Sequence, residues 1–353
     1  MMPLRILMTG AGAPGAPGIL RCYKNNGERE VEIWGCDIKP EVPTIQLLNH
    51  FVQIVPASDE KFISVLLDIC IKNSIDIIQP LVTKELNIFA ANVDKFLERK
   101  IQVCVSSFET LNIANNKARM LEKLQKCKID VPDFRIINES AQFKQACFEL
   151  GYPELPVCFK PAEANGSRGF RIIDNTKDKY SLLFNEKPDS TYIEFESAND
   201  ILCTHDGIPE LIVMEYLPGK EYSVDILADN GNTICAIPRR RDKLVGGIST
   251  NCVTENNQEL IQYCKDIVKV LKLDGNIGIQ ARYDKNNSIK ILEINPRVQG
   301  SIVNCAAAGA NLPYLAIKQK LGEDIPDVRV KWGIEMKRYW SEVYYDHGHA
   351  FTY

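Results

Sequence analysis

Histidine is scarce in this chain, four in 353 residues, and no two of the 12 cysteines stand in a C-x-x-C spacing. Zinc ribbons and dithiol redox sites use that spacing, so neither is signalled, and the cysteines are too few for a disulfide scaffold. They read as small apolar residues of a reducing compartment, which sets the expectation of a cytoplasmic protein. No G-x-S-x-G elbow and no Cys/His nucleophile pattern occurs. His50 and His205 stand without evident partners, and His347 and His349 lack a third ligand, so no histidine base or metal site is expected. Long apolar runs are missing as well. Ile6-Leu7-Met8 is too short for the apolar part of a signal peptide. The uncharged stretch 298–317 has spanning length, but Gln299, Asn304, Asn311 and Pro313 interrupt it, and a buried helix pair is the better reading.

Charge of one sign is also lacking. Lys and Arg total 42 against 46 for Asp and Glu, a formal net charge of -4. Such a balance favours neither a nucleic-acid backbone nor an anionic membrane surface. The one dense basic run, Arg239-Arg240-Arg241, is too short for nucleic acid. As a strand it would put Arg239 and Arg241 on one face. Arg241 is then a candidate for phosphate or substrate carboxylate, against a solvated surface. What is present is ordinary globular material, 45% hydrophobic and 25% charged. At roughly 150 residues per domain, the length suggests about two or three compact units.

Short β-branched runs alternate with helical patterns from Leu4 to about Leu111. Ile6–Met8, Val31–Cys36, Phe51–Val55, Ile75–Gln79 and Ile101–Val105 read as strands. Phe62, Val65, Leu66 and Ile69 recur at helical spacing, and Ile88, Ala91, Val93 and Phe96 more loosely. That rhythm predicts a doubly wound α/β domain over 1–112 with a parallel sheet. A helical segment follows over Asn115 to Lys126, and the later strands carry hairpin signals at 229–232 and 284–288, so antiparallel lobes are expected beyond the boundary. The segment Met336 to Tyr344 alternates like a strand.

Four local signals carry chemistry. Gly10-Ala11-Gly12-Ala13-Pro14-Gly15 follows the first strand as G-x-G-x-x-G, with Asp37 ending the second. This is a dinucleotide fingerprint in form, or simply a tight strand-to-helix turn. Lys160 ends a strand before Asn165-Gly166-Ser167-Arg168-Gly169, a hairpin tip able to close amides on phosphates, or an ordinary flexible hairpin. Leu211–Met214 runs into Glu215 and a Pro218-Gly219 turn. In Glu293-Ile294-Asn295-Pro296-Arg297, Glu293 and Asn295 share a strand face, so two oxygens can converge on one hard cation, with Gln280 as a third. Arg297 just beyond could fix a carboxylate or a phosphoryl group.

In this order the residues resemble the ATP-grasp superfamily, over roughly Leu4 to Ile325, and most closely the carbamoyl phosphate synthetase large-subunit type. The resemblance implies a Rossmann-like (pre-ATP-grasp) domain over 1–112, then a two-lobed ATP-grasp fold of α+β type. The small lobe with its phosphate lid would span 113–188, and the large lobe with the metal site and tail 189–353. It further implies that Lys117 and Lys160 bind phosphates under a lid of Gly166, Ser167 and Gly169. Glu215, Tyr216 and Leu217 would meet adenine, and Glu221 ribose. Gln280, Glu293 and Asn295 would hold Mg2+ or Mn2+, and Arg297, Lys160 and Arg241 would act in catalysis. Gly12, Glu85 and Arg297 would face the substrate, with Lys84 a weaker candidate. The implied activity is an ATP-dependent carboxylate–amine ligase working through an acylphosphate on small molecules, with a homodimer left open. A single-module carbamoyl- or carboxy-phosphate-forming enzyme is the alternative, and an NAD(P)-dependent oxidoreductase using the glycine turn a more distant one.

Overall fold

The structure is a computed structural model that describes residues 3–164, 166–186, 189–205 and 207–353. The chain divides by contacts into two units, one of residues 1–115, 222–280 and 293–353, the other of residues 116–221 and 281–292.

The first stretch alternates strand and helix as its patterning requires: β1 (Leu4–Thr9), α1 (Ala16–Lys24), β2 (Val31–Asp37), β3 (His50–Gln53), α2 (Phe62–Lys72), β4 (Ile77–Gln79), α3 (Thr83–Ala91), α4 (Val93–Leu97), β5 (Gln102–Val103) and α5 (Phe108–Ala114). The sheet runs β3-β2-β1-β4-β5 and every pairing in it is parallel. This is the doubly wound arrangement expected: Ile6, Met8, Ile33 and Ile77 pack into one core and Leu7, Cys36, Ile78 and Val103 into another. The loose helical pattern at 88–96 is two helices, because Asn92, at φ -126°, leaves helical geometry between α3 and α4.

The second unit opens with α6 (Lys117–Lys126), whose N-cap Asn116 accepts from Arg119 N–H, then β6 (Phe134–Ile137), α7 (Gln142–Glu149), β7 (Val157–Pro161), β8 (Arg171–Ile173), α8 (Lys179–Phe184), α9 (Phe195–Cys203) and β9 (Leu211–Glu215). Its sheet, β6-β9-β7-β8, is antiparallel. Phe143, Phe159, Phe195 and Val213 lie in its core.

The chain then continues through β10 (Glu221–Asp229), β11 (Asn232–Val245), β12 (Ile248–Thr254), α10 (Gln258–Leu271), β13 (Gly275–Tyr283), β14 (Ile289–Asn295), α11 (Val303–Ala307), α12 (Leu312–Lys320), β15 (Glu335–Lys337), β16 (Tyr344–Asp346) and β17 (His349–Phe351), all in the first unit except residue 221 and residues 281–292. These form a sheet of order β14-β13-β10-β11-β12-β15 and a separate hairpin of β16 with β17. The uncharged stretch 298–317 is the buried helix pair α11 and α12, and among the described residues no helix is long and apolar enough to cross a membrane. One core joins this part to the N-terminal sheet: Ile6, Met8, Ile19 and Leu20 pack with Leu227, Ile237, Val298, Ile302, Leu312 and Ile317. Of the strand expected over 336–344, only Glu335–Lys337 pairs with β12.

Candidate functional site

In an open parallel sheet, ligands bind outside the carboxyl ends of the strands where the strand order reverses. Here that point lies between β1 and β4, so the loops after these strands, 10–15 and 80–82, face each other. Gly10 sits at φ +65°, and a Cβ there would lie 2.5 Å from Val82 Cγ2, so only glycine lets the loops approach this closely. The Thr9 hydroxyl donates to the Glu85 carboxylate. Gly12 N–H donates to Asp37 Oδ2 at 2.9 Å, and the Thr44 hydroxyl to Ala11 O at 2.7 Å. Glu85 is 5% exposed. Burial pushes its carboxyl up to about 7, Asp37 adds to the rise, and the Thr9 hydroxyl opposes it. Lys84, its neighbour, is exposed.

The turn has little room for a dinucleotide. A Cβ on Gly15 would lie 2.2 Å from Gly300 Cα, so backbone packs directly on backbone at the start of α1, where a pyrophosphate would need to sit. Asp37, the residue a ribose would need, is engaged with Gly12 and with Lys39 N–H at 3.1 Å.

At the end of β14, Asn295 Nδ2 donates to Glu293 Oε1 at 3.0 Å, and Arg297 Nη2 donates to Asn295 Oδ1 at 3.3 Å. Arg297 also donates from Nε to Thr83 Oγ1 and from Nη1 to Val298 O, both at 3.0 Å. Burial lowers the Arg297 pKa and Glu293 partly offsets it. Arg297 therefore ties the tip of β14 to the first turn of α3. Gln280 Oε1 accepts from Arg241 Nη1 at 3.0 Å, while Arg241 also reaches Ser249 Oγ at 2.9 Å and Gly247 O at 2.7 Å. Glu293, Asn295 and Gln280 are oxygen donors of the kind a hard divalent cation takes. Each amide oxygen has a second lone pair beyond its guanidinium hydrogen bond, so the donor set fits magnesium.

The basic run is mostly spent on structure. Arg239 and Asp225 form a fully buried pair at 2.5 Å. Arg240 pairs with Asp242 and Glu255. Arg241 alone of the three reaches Gln280.

In the second unit Lys117 is buried, its ammonium donating to Ala164 O at 2.6 Å. Lys160 lies on β7 and donates from Nζ to Leu292 O at 3.0 Å. Gly166, Ser167 and Gly169 all take positive φ, and a Cβ on Gly169 would lie 2.6 Å from Pro161 Cδ, so the loop folds back on the end of β7. Asn165 lies outside the described residues. Glu215 accepts Asp133 N–H at 2.9 Å, and burial raises its pKa. The Arg282 guanidinium stands 5.3 Å from the Tyr216 ring centroid, Leu217 is buried, and Glu221 opens β10.

Thr9, Thr83 and Ser249 were not legible as site residues, because a lone hydroxyl carries no spacing signal. The C-terminal histidines lie at the β16–β17 turn, an ordered hairpin rather than a loose tail, and Tyr345 OH donates to Val42 O at 2.7 Å.

A Rossmann-like domain followed by antiparallel sheets, with Glu-x-Asn-Pro-Arg at the end of β14, is the arrangement the ATP-grasp resemblance implies. Residues 207–340 match the family described as ATP-grasp in the biosynthetic pathway with Ter operon, and residues 6–104 match the PylC-like N-terminal domain. The chain thus carries an ATP-grasp domain and a PylC-like N-terminal domain. It is 21% identical over 255 residues to the carbamoyl phosphate synthase large chain of Clostridium acetobutylicum, covering 69% of this chain and 22% of that one. The chain therefore spans about a fifth of that relative's length. An N5-carboxyaminoimidazole ribonucleotide synthetase solved with ADP superposes with a TM-score of 0.69 at 17% identity, over 94% of this chain and 80% of the other. The biotin carboxylase domain dimer of the 2-oxoglutarate carboxylase of Hydrogenobacter thermophilus, in complex with MgADP, ADP and bicarbonate, superposes with a TM-score of 0.67 at 16% identity, over 94% and 73%. These likenesses show the fold.

Proposed function

We propose that the protein is an ATP- and magnesium-dependent carboxylate–amine ligase, manganese serving as an alternative ion. The observation that carries this reading is the sequence of groups at the end of β14: Leu292 O takes the Lys160 ammonium, Glu293 and Asn295 follow as oxygen donors, and Arg297 comes next. The family match over 207–340 supports it.

In this reading Lys117 and Lys160 neutralise phosphate charge beneath the lid of Gly166, Ser167 and Gly169. Glu215, Tyr216 and Leu217 meet adenine, and Glu221 the ribose. Gln280, Glu293 and Asn295 hold the cation, which supplies charge neutralisation at the phosphate oxygens. A substrate carboxylate oxygen attacks the γ-phosphorus and the bond to ADP breaks. The amine nitrogen then attacks the acyl carbon, the C–O bond to phosphate breaks, and the nitrogen releases its proton. Arg297, with Arg241, holds the anionic partner in place, and Gly12 and Glu85 face the acceptor. Phosphoryl transfer asks the protein chiefly for positioning and charge stabilisation. Excluding water protects the acylphosphate. The division into 1–112, 113–188 and 189–353 is proposed as the functional one, and a homodimer as the assembly, by analogy with the carboxylase domain dimer.

A screen for ADP release over organic acids combined with amines tests the reading. Release that needs both an acid and an amine supports it, and background release across the panel counts against it. The likeness to carbamoyl phosphate synthase favours a second reading, in which bicarbonate alone drives ADP release.

A further inference from the structure

The loop after β4 is pinned on both sides of one residue. Gly10 meets Val82, and Thr9 donates to Glu85. Between these anchors Thr83, the first residue of α3, presents its hydroxyl to Arg297 Nε at 3.0 Å. Val82, not Thr83, is the N-cap of this helix and makes no side-chain cap, whereas the Thr83 hydroxyl accepts from Arg297, 214 positions away. Two further hydrogen bonds, to Val298 O and Asn295 Oδ1, hold the guanidinium along its other edges. A guanidinium has five N–H donors in one plane. The three neutral acceptors therefore leave donors for an anion while fixing the plane in which that anion must lie.

We propose that Thr83 is a positioning residue: it aims the Arg297 guanidinium, and through Asn295 it also orders Glu293. This rests on the reading of Arg297 as the anion-binding group of the ligase. The contact is specific to a hydroxyl. Valine has nearly the same shape and no acceptor, so it leaves Nε–H without its partner, and a hydrogen bond to a charged group is of the stronger kind.

The test uses the full chain labelled with 15N-arginine, with the Arg297 Nε–H signal assigned by its loss in Arg297→Lys and inorganic phosphate as the probe. In Thr83→Val, hydrogen exchange at Arg297 Nε–H rises by about tenfold and phosphate affinity read at that signal falls by a similar factor. Thr83→Ser restores both to within about twofold. Wild-type exchange and affinity in Thr83→Val overturn the proposal, as does failure of serine to restore them at an unchanged melting temperature. Should phosphate leave the wild-type Arg297 signal unmoved, the anion role of Arg297 falls. The exchange rates then decide by themselves whether Thr83 holds the guanidinium.

Discussion

Arg239 and Asp225 meet at 2.5 Å with both side chains fully buried. Cys305 Sγ donates to the same Asp225 oxygen at 3.3 Å, and Arg239 Nη1 lies 3.5 Å from Cys252 Sγ. A buried pair gains little over a well-packed apolar pair, but removing one partner strands a charge at a cost of about 3–5 kcal/mol. Asp225→Ala should therefore lower the denaturation free energy by about that amount, whereas Asp225→Leu with Arg239→Met should recover most of it. Urea titration of the three proteins checks this, and equal losses in the single and double variants would contradict it.

Glu85 makes stability depend on pH in an unusual direction. Its carboxyl is pushed up to about 7 from an ordinary value of 4.5. An acid with a raised native pKa binds its proton more tightly when folded, so it costs nothing below the unfolded value and destabilises progressively as pH rises towards 7. The full penalty is about 3 kcal/mol. Glu85→Gln retains an acceptor for Thr9 and cannot ionise. It should match the wild type near pH 4 and exceed it above pH 7, as read by denaturant titration at each pH. A constant difference across that range would remove the assignment.

Gly15 is confined by Gly300 rather than by its own φ. A methyl placed 2.2 Å from Gly300 Cα cannot be absorbed by a side-chain rotation, because both atoms belong to backbone. Gly15→Ala should cost about 1–3 kcal/mol or more. Gly27→Ala is no neutral control, since Gly27 takes φ +77°, but nothing lies within 4 Å of its Cβ, so its cost should be the smaller. Thermal melts of the two variants compare them directly, and a neutral Gly15→Ala would show that the turn and Gly300 are not in contact.

Much of the fold was legible because strand and helix periods leave different apolar spacings. The parallel order around β1 followed from strands alternating with helices, and the hairpin signal at 229–232 marks the turn between β10 and β11. Boundaries were less legible. Ile101–Val105 contains only the short β5, and the alternation at 336–344 is split between Met336 and Lys337, which pair with β12, and Tyr344, which pairs with β17, because pairing depends on a partner strand that local pattern does not encode. The fate of Arg239 was hidden for the same reason. Alternation correctly put it on one face with Arg241, but its carboxylate comes from β10, set by the register that pairs Ser223 with Arg239 and Asp225 with Ile237. Thr83 and Arg297 are 214 positions apart, and no local signal joins them.

The most direct test of the account is calorimetric titration of ATP into the wild type, Lys160→Ala and Glu293→Ala, each with and without magnesium, with NADH as a control ligand. The account predicts one ATP per chain in the wild type and a marked loss of affinity in Lys160→Ala. In Glu293→Ala the dependence of affinity on magnesium should vanish, and NADH should give no heat. Undiminished, magnesium-dependent ATP binding in both variants, or binding of NADH in place of ATP, would contradict it.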